Sequence, residues 1–264
     1  MISVITPNYN GSRYLDRCLS SIIQQRVEGV DLECIVVDGG STDDSLSVIQ
    51  GYRDELDHVI SEPDNGPASA INKGLRLARG DMVAWLNADD FYYPGALQRV
   101  VTGMCEHPEK ALCFGRCRIV DEADQEIRKG ITCFKEAFFP LSSRFTLQSI
   151  NYISQPAMFF RRSAMEKVGL LREDMKAAWD YEFILRLWRQ GGASRIYGGP
   201  LAAFRWHETS ISGAHFKQQF KEEYEVALAD AGWLSPQALL HWGVRWGIVG
   251  SYACMAWNRN RKRA

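Results

Sequence analysis

The chain has 264 residues, enough at roughly 100–200 residues per domain for one large domain or one domain with an appendage. With 46% apolar and 24% charged residues, its composition is globular, neither disordered nor collagenous. The net charge of −1, from 31 Lys plus Arg against 32 Asp plus Glu, excludes a whole-protein basic field for gripping nucleic acid.

Seven Cys form no C-x-x-C pair, and Cys113 and Cys117 lack the second pair or nearby His that would complete a zinc site. The thiols are therefore expected to be reduced and mostly buried, in a cytoplasmic protein. A signal peptide is not expected, because strand-like sequence starts at Ile2 with no basic segment before it.

The first half alternates short apolar runs with helical patterns. Ile2–Thr6 is a β-branched run that ends at Pro7 and predicts a buried strand. Leu15, Leu19, Ile22 and Ile23 fall at helical spacing within Ser12–Gln25. Cys34–Val37 predicts a second strand, followed by a helix that Ser41 or Thr42 can cap and that runs to about Tyr52. His58–Ser61 is a short third strand. Pro67 opens a helix over Ala68–Arg79, stopped by Gly80. Met82–Leu86 is a fourth strand. This β-α-β-α order predicts a parallel sheet covered by helices.

The second half is less regular. Ala111–Val120 and Ile127–Cys133 suggest a strand pair around Glu122–Gln125. Lys135–Asn151 has no clear period and reads as a mobile segment. Ala157–Phe160 reads as a strand and Ser163–Val168 as a short helix. Trp179–Gln190 is a helix with Phe183, Leu187 and either Ile184 or Trp188 on its apolar side.

Parallel sheets bind ligands beyond the carboxyl ends of their strands, and three polar clusters sit there. They are Asn8-Tyr9-Asn10, Asp38 to Asp44, and Asn87 to Asp90. Carboxylates crowded after an apolar strand, as in Asn87-Ala88-Asp89-Asp90, need a positive partner, and a divalent cation carrying a diphosphate supplies one. A helix cap or a solvated turn would account for the same residues. The stretch Asp38-Gly39-Gly40-Ser41-Thr42-Asp43 lets backbone pass close to a ligand and gives Asp38 to a base or ribose, or is simply a tight turn with a Ser/Thr cap. It is neither a G-x-G-x-x-G fingerprint nor a Walker A loop.

Together these stretches resemble the family 2 glycosyltransferases, which use the GT-A fold. The resemblance rests on Ile5-Thr6-Pro7-Asn8-Tyr9-Asn10, on Val36-Val37-Asp38-Gly39-Gly40-Ser41-Thr42-Asp43, and on Asn65-Gly66 followed by Ala70-Ile71-Asn72-Lys73-Gly74. It continues through Ala78-Arg79-Gly80-Asp81 and Trp85-Leu86-Asn87-Ala88-Asp89-Asp90 to Trp179-Asp180-Tyr181-Glu182-Phe183 and Phe204-Arg205-Trp206-His207-Glu208-Thr209-Ser210. It covers Ile2 to about Ser212.

The resemblance implies that Pro7, Tyr9, Asp38, Asp64 and Lys73 line the nucleotide pocket, with Asp38 facing the base. Asn87-Ala88-Asp89 occupies the place of the family's D-x-D motif, with Asn87 toward ribose or sugar and Asp89 as metal ligand. Asp90 and Arg205 complete the nucleotide-sugar set, Arg205 by neutralising the diphosphate. Asp180 matches the family's catalytic base, with Trp179 in place of the usual Glu. Its position at a helix start is expected to hold the carboxylate ionised. His207 is expected to complete the metal shell, and an Asp plus His set suits Mn²⁺ better than Mg²⁺.

The C-terminal stretch departs from the rest. On a helix from about Pro236, Leu239, Trp242, Trp246 and Val249 share a face, and the chain then reads Arg259-Asn260-Arg261-Lys262-Arg263. An aromatic face with a basic end is a membrane-surface pattern. Packing on the catalytic domain or a homodimer helix would use the same face.

The fold expected is α/β of the GT-A type, a mostly parallel nucleotide-binding sheet flanked by helices, with a helical C-terminal extension. The catalytic domain is expected over 1–212, its nucleotide-sugar half over 1–110 and its acceptor half over 111–212, and the extension with its basic tail over 213–264. The expected activity is inverting, metal-dependent transfer from a nucleotide-diphosphate sugar, a UDP-sugar in first place, to a hydroxyl of a glycan or lipid-linked acceptor in surface polysaccharide assembly. The enzyme would work in the cytoplasm at the inner face of the membrane, with Mn²⁺ or Mg²⁺ as cofactor. The main alternative is a catalytically weak sugar-nucleotide-binding subunit. A nucleotidyltransferase ranks lower, because Asn8 to Arg13 supplies only one Gly and one Arg after the first strand. A D-x-D-x-T phosphatase fails, because Gly40 stands where its second Asp should be.

Overall fold

The computed structural model describes residues 1–207 and 216–247. Its centre is a seven-stranded sheet in the order β3-β2-β1-β4-β8-β6-β9. The strands are β1 (Ile2–Asn8), β2 (Leu32–Asp38), β3 (His58–Ser61), β4 (Met82–Trp85), β6 (Leu112–Phe114), β8 (Met158–Arg161) and β9 (Ala193–Arg195). β8 alone runs against its neighbours, pairing antiparallel with both β4 and β6. A second sheet, in the order β5-β10-β7, joins β5 (Phe91–Tyr92), β7 (Cys117–Val120) and β10 (Ala202–Arg205).

The period-2 alternation of the strands divides the core in two. Val4, Cys34, Val36 and Ala84 face α1 (Ser12–Val27), α2 (Ser45–Gly51) and α4 (Ala96–Glu106), meeting Leu15, Leu19, Ile49 and Val100. Ile5, Ile35, Val37, Val83 and Trp85 point the other way, onto Ile71 and Leu75 of α3 (Pro67–Leu77) and Phe183, Ile184 and Leu187 of α8 (Trp179–Trp188). Ile184, rather than Trp188, therefore completes the buried stripe of α8. Both faces are covered, which explains why β1, β2 and β4 are buried throughout. α3 lies close enough to β1 that a Cβ on Gly74 would come within 2.4 Å of Ile5.

β1 runs on through Pro7, two residues past its predicted end. Ile5 accepts the Leu86 N–H on the β4 side, so Pro7, two residues on, faces the same side, where β4 has already stopped at Trp85. No ladder bond is lost there. The helix after β2 starts at Ser45, not at Ser41 or Thr42, because Ser41 is turned back to donate to Asp38 at 2.5 Å.

The expected strand pair after Ala111 does not form as such. β6 and β7 belong to different sheets, separated at Gly115, and residues 127–133 enter helix α5 (Lys129–Ala137). What remains of a pair is one bridge between Val120 and Glu126 and the Ile127 N–H donating to Ile119 O, closed by a turn in which the Asp121 carboxylate accepts from Ala123 and Gln125. Lys135–Asn151 is ordered: the end of α5, a 3₁₀ turn (Phe139–Leu141) and α6 (Arg144–Ser149), tied down by buried Phe139, Leu147 and Ile150. Each piece is too short to build up a period. α7 (Arg162–Val168) follows β8.

The C-terminal part begins with α9 (Phe216–Ala231), which packs on α6 and α8. Residues 236–247 form a further helix, α10. It docks through buried Ala238 and His241, whose Nδ1 lies 2.9 Å from Gln148 O. Its outer face leaves Leu239 66%, Trp242 52% and Trp246 53% exposed, with the two indoles 6.4 Å apart. Val249 and the basic run from Arg259 lie outside the described residues. Among the described residues no helix is long and apolar enough to cross a membrane, and four of the six cysteines are buried free thiols.

Candidate active site

A cavity of 1520 Å³ opens at the carboxyl ends of β1, β2 and β4 and reaches under α9 and α10. Pro7, Tyr9, Asp64, Asn87, Asp89, Asp180 and His207 all line it. Residues as far apart as 7 and 207 in the chain thus share one cavity.

Two loops form the rim. The Asp38 carboxylate is fully buried and accepts from Asn8 Nδ2 at 2.8 Å, Ser61 Oγ at 2.9 Å, Ser41 Oγ, and the Ser41 and Gly40 N–H groups. Burial would push its pKa up, but these hydrogen bonds outweigh burial and hold it below the usual carboxylate range. Asp38, expected to face the base, therefore lies off the cavity lining and braces the turns after β1 and β2, while Gly39 and Gly40 line the cavity. Asn10, in the left-handed region at φ 51°, accepts the Thr42 N–H and so ties the two loops together. Asp64 lies directly over Gly39, whose missing Cβ would fall 2.5 Å from its Oδ2. Lys73 is not on the cavity wall, because its ammonium pairs with Glu62 at 2.8 Å and donates to Pro63 O.

The metal-ligand candidates meet. Asp89 Oδ2 and His207 Nε2 stand 2.9 Å apart although 118 residues separate them. The register of β10 brings them together: Asp90 Oδ1 accepts the Arg205 N–H at 2.9 Å, and Arg205 Nε donates to Asp89 O at 2.9 Å. His207 then falls two residues beyond, against the Tyr14 ring at 5.6 Å.

This geometry corrects two expectations. Arg205 is 1% exposed, and its remaining nitrogens go to Asp121 O and the Asp124 carboxylate, so it holds the Asp89 backbone rather than a diphosphate. Asp90 is likewise sealed beneath the turn, its pKa pushed well up by burial and by the charge of Asp89.

Among the described residues no cluster of three or more His, Cys, Asp or Glu could hold a metal unaided. Asp89 and His207 nonetheless fit one: adjacent ligands of an octahedral ion, each about 2.1 Å from it, sit about 3.0 Å apart. A diphosphate would supply the other oxygens.

Asp180 stands in the first turn of α8, partly buried at the far end of the cavity. Its pKa is pushed up to about 6, by burial first and then by the charge of Glu223, against the expectation that the helix start would keep it low. The Tyr181 N–H, donating to Asp180 at 2.7 Å, favours the ionised form but does not outweigh burial and Glu223. Just ahead of the helix, Glu222 of α9 accepts the N–H groups of Ala177 at 2.9 Å and Ala178 at 3.0 Å.

Glu223, Lys135, His241 and Arg245 line this end too. Sequence reading missed them, since Lys221-Glu222-Glu223 on a helix looks like any solvated charge run. Gln155, which donates to Trp85 O at 2.7 Å and faces Asn87, was also missed.

The profile of Glycosyl transferase family 2 matches residues 3–169. An uncharacterized glycosyltransferase of Nostoc sp. is 34% identical over 239 residues, covering 87% of this chain and 73% of that protein. The chondroitin synthase of Escherichia coli is 31% identical over 198 residues, which is 74% of this chain but 28% of that protein's length. Two solved structures share the fold. S. aureus TarS 1–349 in complex with UDP-GlcNAc superposes with a TM-score of 0.69 at 19% identity, covering 87% of this chain and 66% of that one. A mannosyltransferase from Pyrobaculum calidifontis in complex with GDP-Man and Mn²⁺ gives 0.66 at 18% identity, covering 97% and 80%. With the family match spanning more than half its length and the GT-A fold in place, the chain belongs to glycosyl transferase family 2.

Proposed function

We propose that this enzyme is an inverting, divalent-cation-dependent transferase that moves a sugar from a UDP-sugar to a hydroxyl of a glycan or lipid-linked acceptor in surface polysaccharide assembly. The observation that carries this reading is the shared cavity: Asp89 and His207 meet at its lining, and Asp180 lines the same cavity. Asp64, Tyr9 and the Gly39–Gly40 backbone are placed to seat the nucleoside, and Asn87 to meet donor hydroxyls.

Asp180 takes the acceptor hydroxyl proton as the oxygen attacks the anomeric carbon. The bond to the diphosphate breaks on the opposite face, and the nucleotide leaves with its electron pair. Asp89 and His207 would hold Mn²⁺, which when bound offsets charge on the departing diphosphate. Residues 1–212 then form the catalytic domain, with the nucleotide-sugar half in 1–110 and the acceptor half in 111–212, and residues 213–264 the extension, whose helices α9 and α10 line the cavity.

UDP is favoured because TarS is solved with UDP-GlcNAc, although the mannosyltransferase carries GDP-Man, so the donor is open to direct test. UDP-, GDP- and dTDP-sugars assayed with Mn²⁺ should give one UDP-sugar that binds and is slowly hydrolysed, and EDTA should abolish the hydrolysis. Binding without any turnover would favour a sugar-nucleotide-binding subunit instead.

The exposed Leu239, Trp242 and Trp246 face of α10, followed in sequence by four cations from Arg259 to Arg263, supports attachment to an anionic membrane at its cytoplasmic face. Vesicles of phosphatidylglycerol and phosphatidylcholine should pull down the full chain in low salt. Replacing Trp242 and Trp246 by Ser should release it without altering UDP affinity. Equal pull-down of that variant would remove the membrane role, and a concentration-dependent dimer lost in the variant would assign the face to a second copy.

A further inference from the structure

We propose that Glu223 is a positioning residue for the transfer reaction: α9, pinned to the start of α8, delivers it into the same cavity that the catalytic base Asp180 lines, where its carboxylate tunes that base. The inference rests on the reading of Asp180 as base.

The placement is built, not incidental. Glu222 and Glu223 are consecutive residues of α9 with divided duties. Glu222 grips the N-terminus of α8 through Ala177 and Ala178, which fixes α9 against the helix that carries Asp180. Glu223 then projects into the cavity with 4% of its surface exposed. Asn151 Nδ2 at 3.2 Å and Gln219 Nε2 at 3.1 Å donate to its Oε1, so the side chain is oriented from two elements.

A buried carboxylate beside another opposes the second charge, and that opposition makes the ionised partner more basic. The charged and titratable groups at this end are few. Lys135 of α5 lines the cavity and acts oppositely, favouring the ionised forms of both Asp180 and Glu223. Tyr181 of α8 has its hydroxyl committed to Leu147 O. From α10 come His241, held toward its neutral form by burial, and Arg245. Asp180 is therefore set between one like charge and one opposite charge, both supplied by elements outside α8.

The test is the pH profile of Mn²⁺-dependent UDP-sugar hydrolysis, with water as the acceptor, for wild type, Glu223→Gln, Lys135→Met and Asp180→Asn. Gln keeps an Oε1 to accept from Asn151 and Gln219, so Glu223→Gln removes charge with little change of shape. Its acid limb should move down by about one pH unit and its plateau should fall about tenfold, because a weaker base takes the proton less readily. Lys135→Met should move the limb up. UDP affinity should stay unchanged in both. An acid limb that stays in place in Glu223→Gln while Asp180→Asn is inactive would overturn the role of Glu223 alone, as would a Glu223→Gln variant whose defect lies in UDP affinity. Normal turnover by Asp180→Asn would remove the base itself, and this inference with it. Should Glu223→Gln fold poorly, the Lys135→Met limb decides, and its failure to rise would count against the pairing.

Discussion

Replacing Asp180 by Asn should lower turnover by about 10²- to 10⁴-fold while UDP affinity stays at the wild-type value. The side chain touches neither the nucleotide wall nor the Asp89–His207 pair in any described contact, so donor binding has no reason to change. Asn keeps the size and the bond from the Tyr181 N–H but cannot take a proton. The same assignment fixes the pH dependence. Asp180 works only when ionised, and its pKa is raised to about 6, so kcat/KM should be level near neutral pH and fall as the pH drops through about 6. An ordinary exposed carboxylate would let activity persist two units lower. Steady-state rates from pH 4.5 to 8 on both proteins decide the matter: near-wild-type turnover in Asp180→Asn, or a profile flat to pH 4.5, contradicts it.

Replacing Asp89 by Ala should remove the gain in UDP affinity that Mn²⁺ gives to wild type, a loss of at least about a hundredfold. Nucleotide seating by the Gly39–Gly40 loop and Asp64 remains, so weak metal-free binding should survive. His207→Ala should act in the same direction and less severely, since a water can take the place of the imidazole while the carboxylate still neutralises charge. Calorimetric titration of UDP with Mn²⁺ and with EDTA separates the cases. If Asp89→Ala keeps the full Mn²⁺ dependence, the cation sits elsewhere.

Much of the fold of the first half was legible in the sequence because its signals are local. The apolar runs at Ile2, Cys34 and Met82 bury on both faces, so hydropathy alone marks them, and the polar clusters follow at their carboxyl ends by topology. Pairing Asp89 with His207 drew on resemblance, since nothing local links residues 118 apart. What escaped depends on tertiary register. Arg205 and Asp90 have the right chemistry for a diphosphate site, but the pairing of β10 beside the turn after β4 buries both beneath it. Asp180 was read as a helix-start carboxylate held ionised, and only the tertiary packing reveals the burial and the Glu223 charge that raise its pKa. Ile127–Cys133 has strand-like residues, yet the chain leaves the Asp121 turn as a helix. Glu223 had no signal at all: its role follows from which face of α9 turns inward.

The claim on which the account stands is that Asp89 and His207 hold the cation that carries the donor, within reach of Asp180. Crystals soaked with Mn²⁺ and UDP, measured at the manganese edge, test it directly. The account predicts one anomalous peak bonded to Asp89, His207 and the diphosphate, with the open side of the cavity facing Asp180. A bound UDP whose manganese peak lies away from both residues would contradict it.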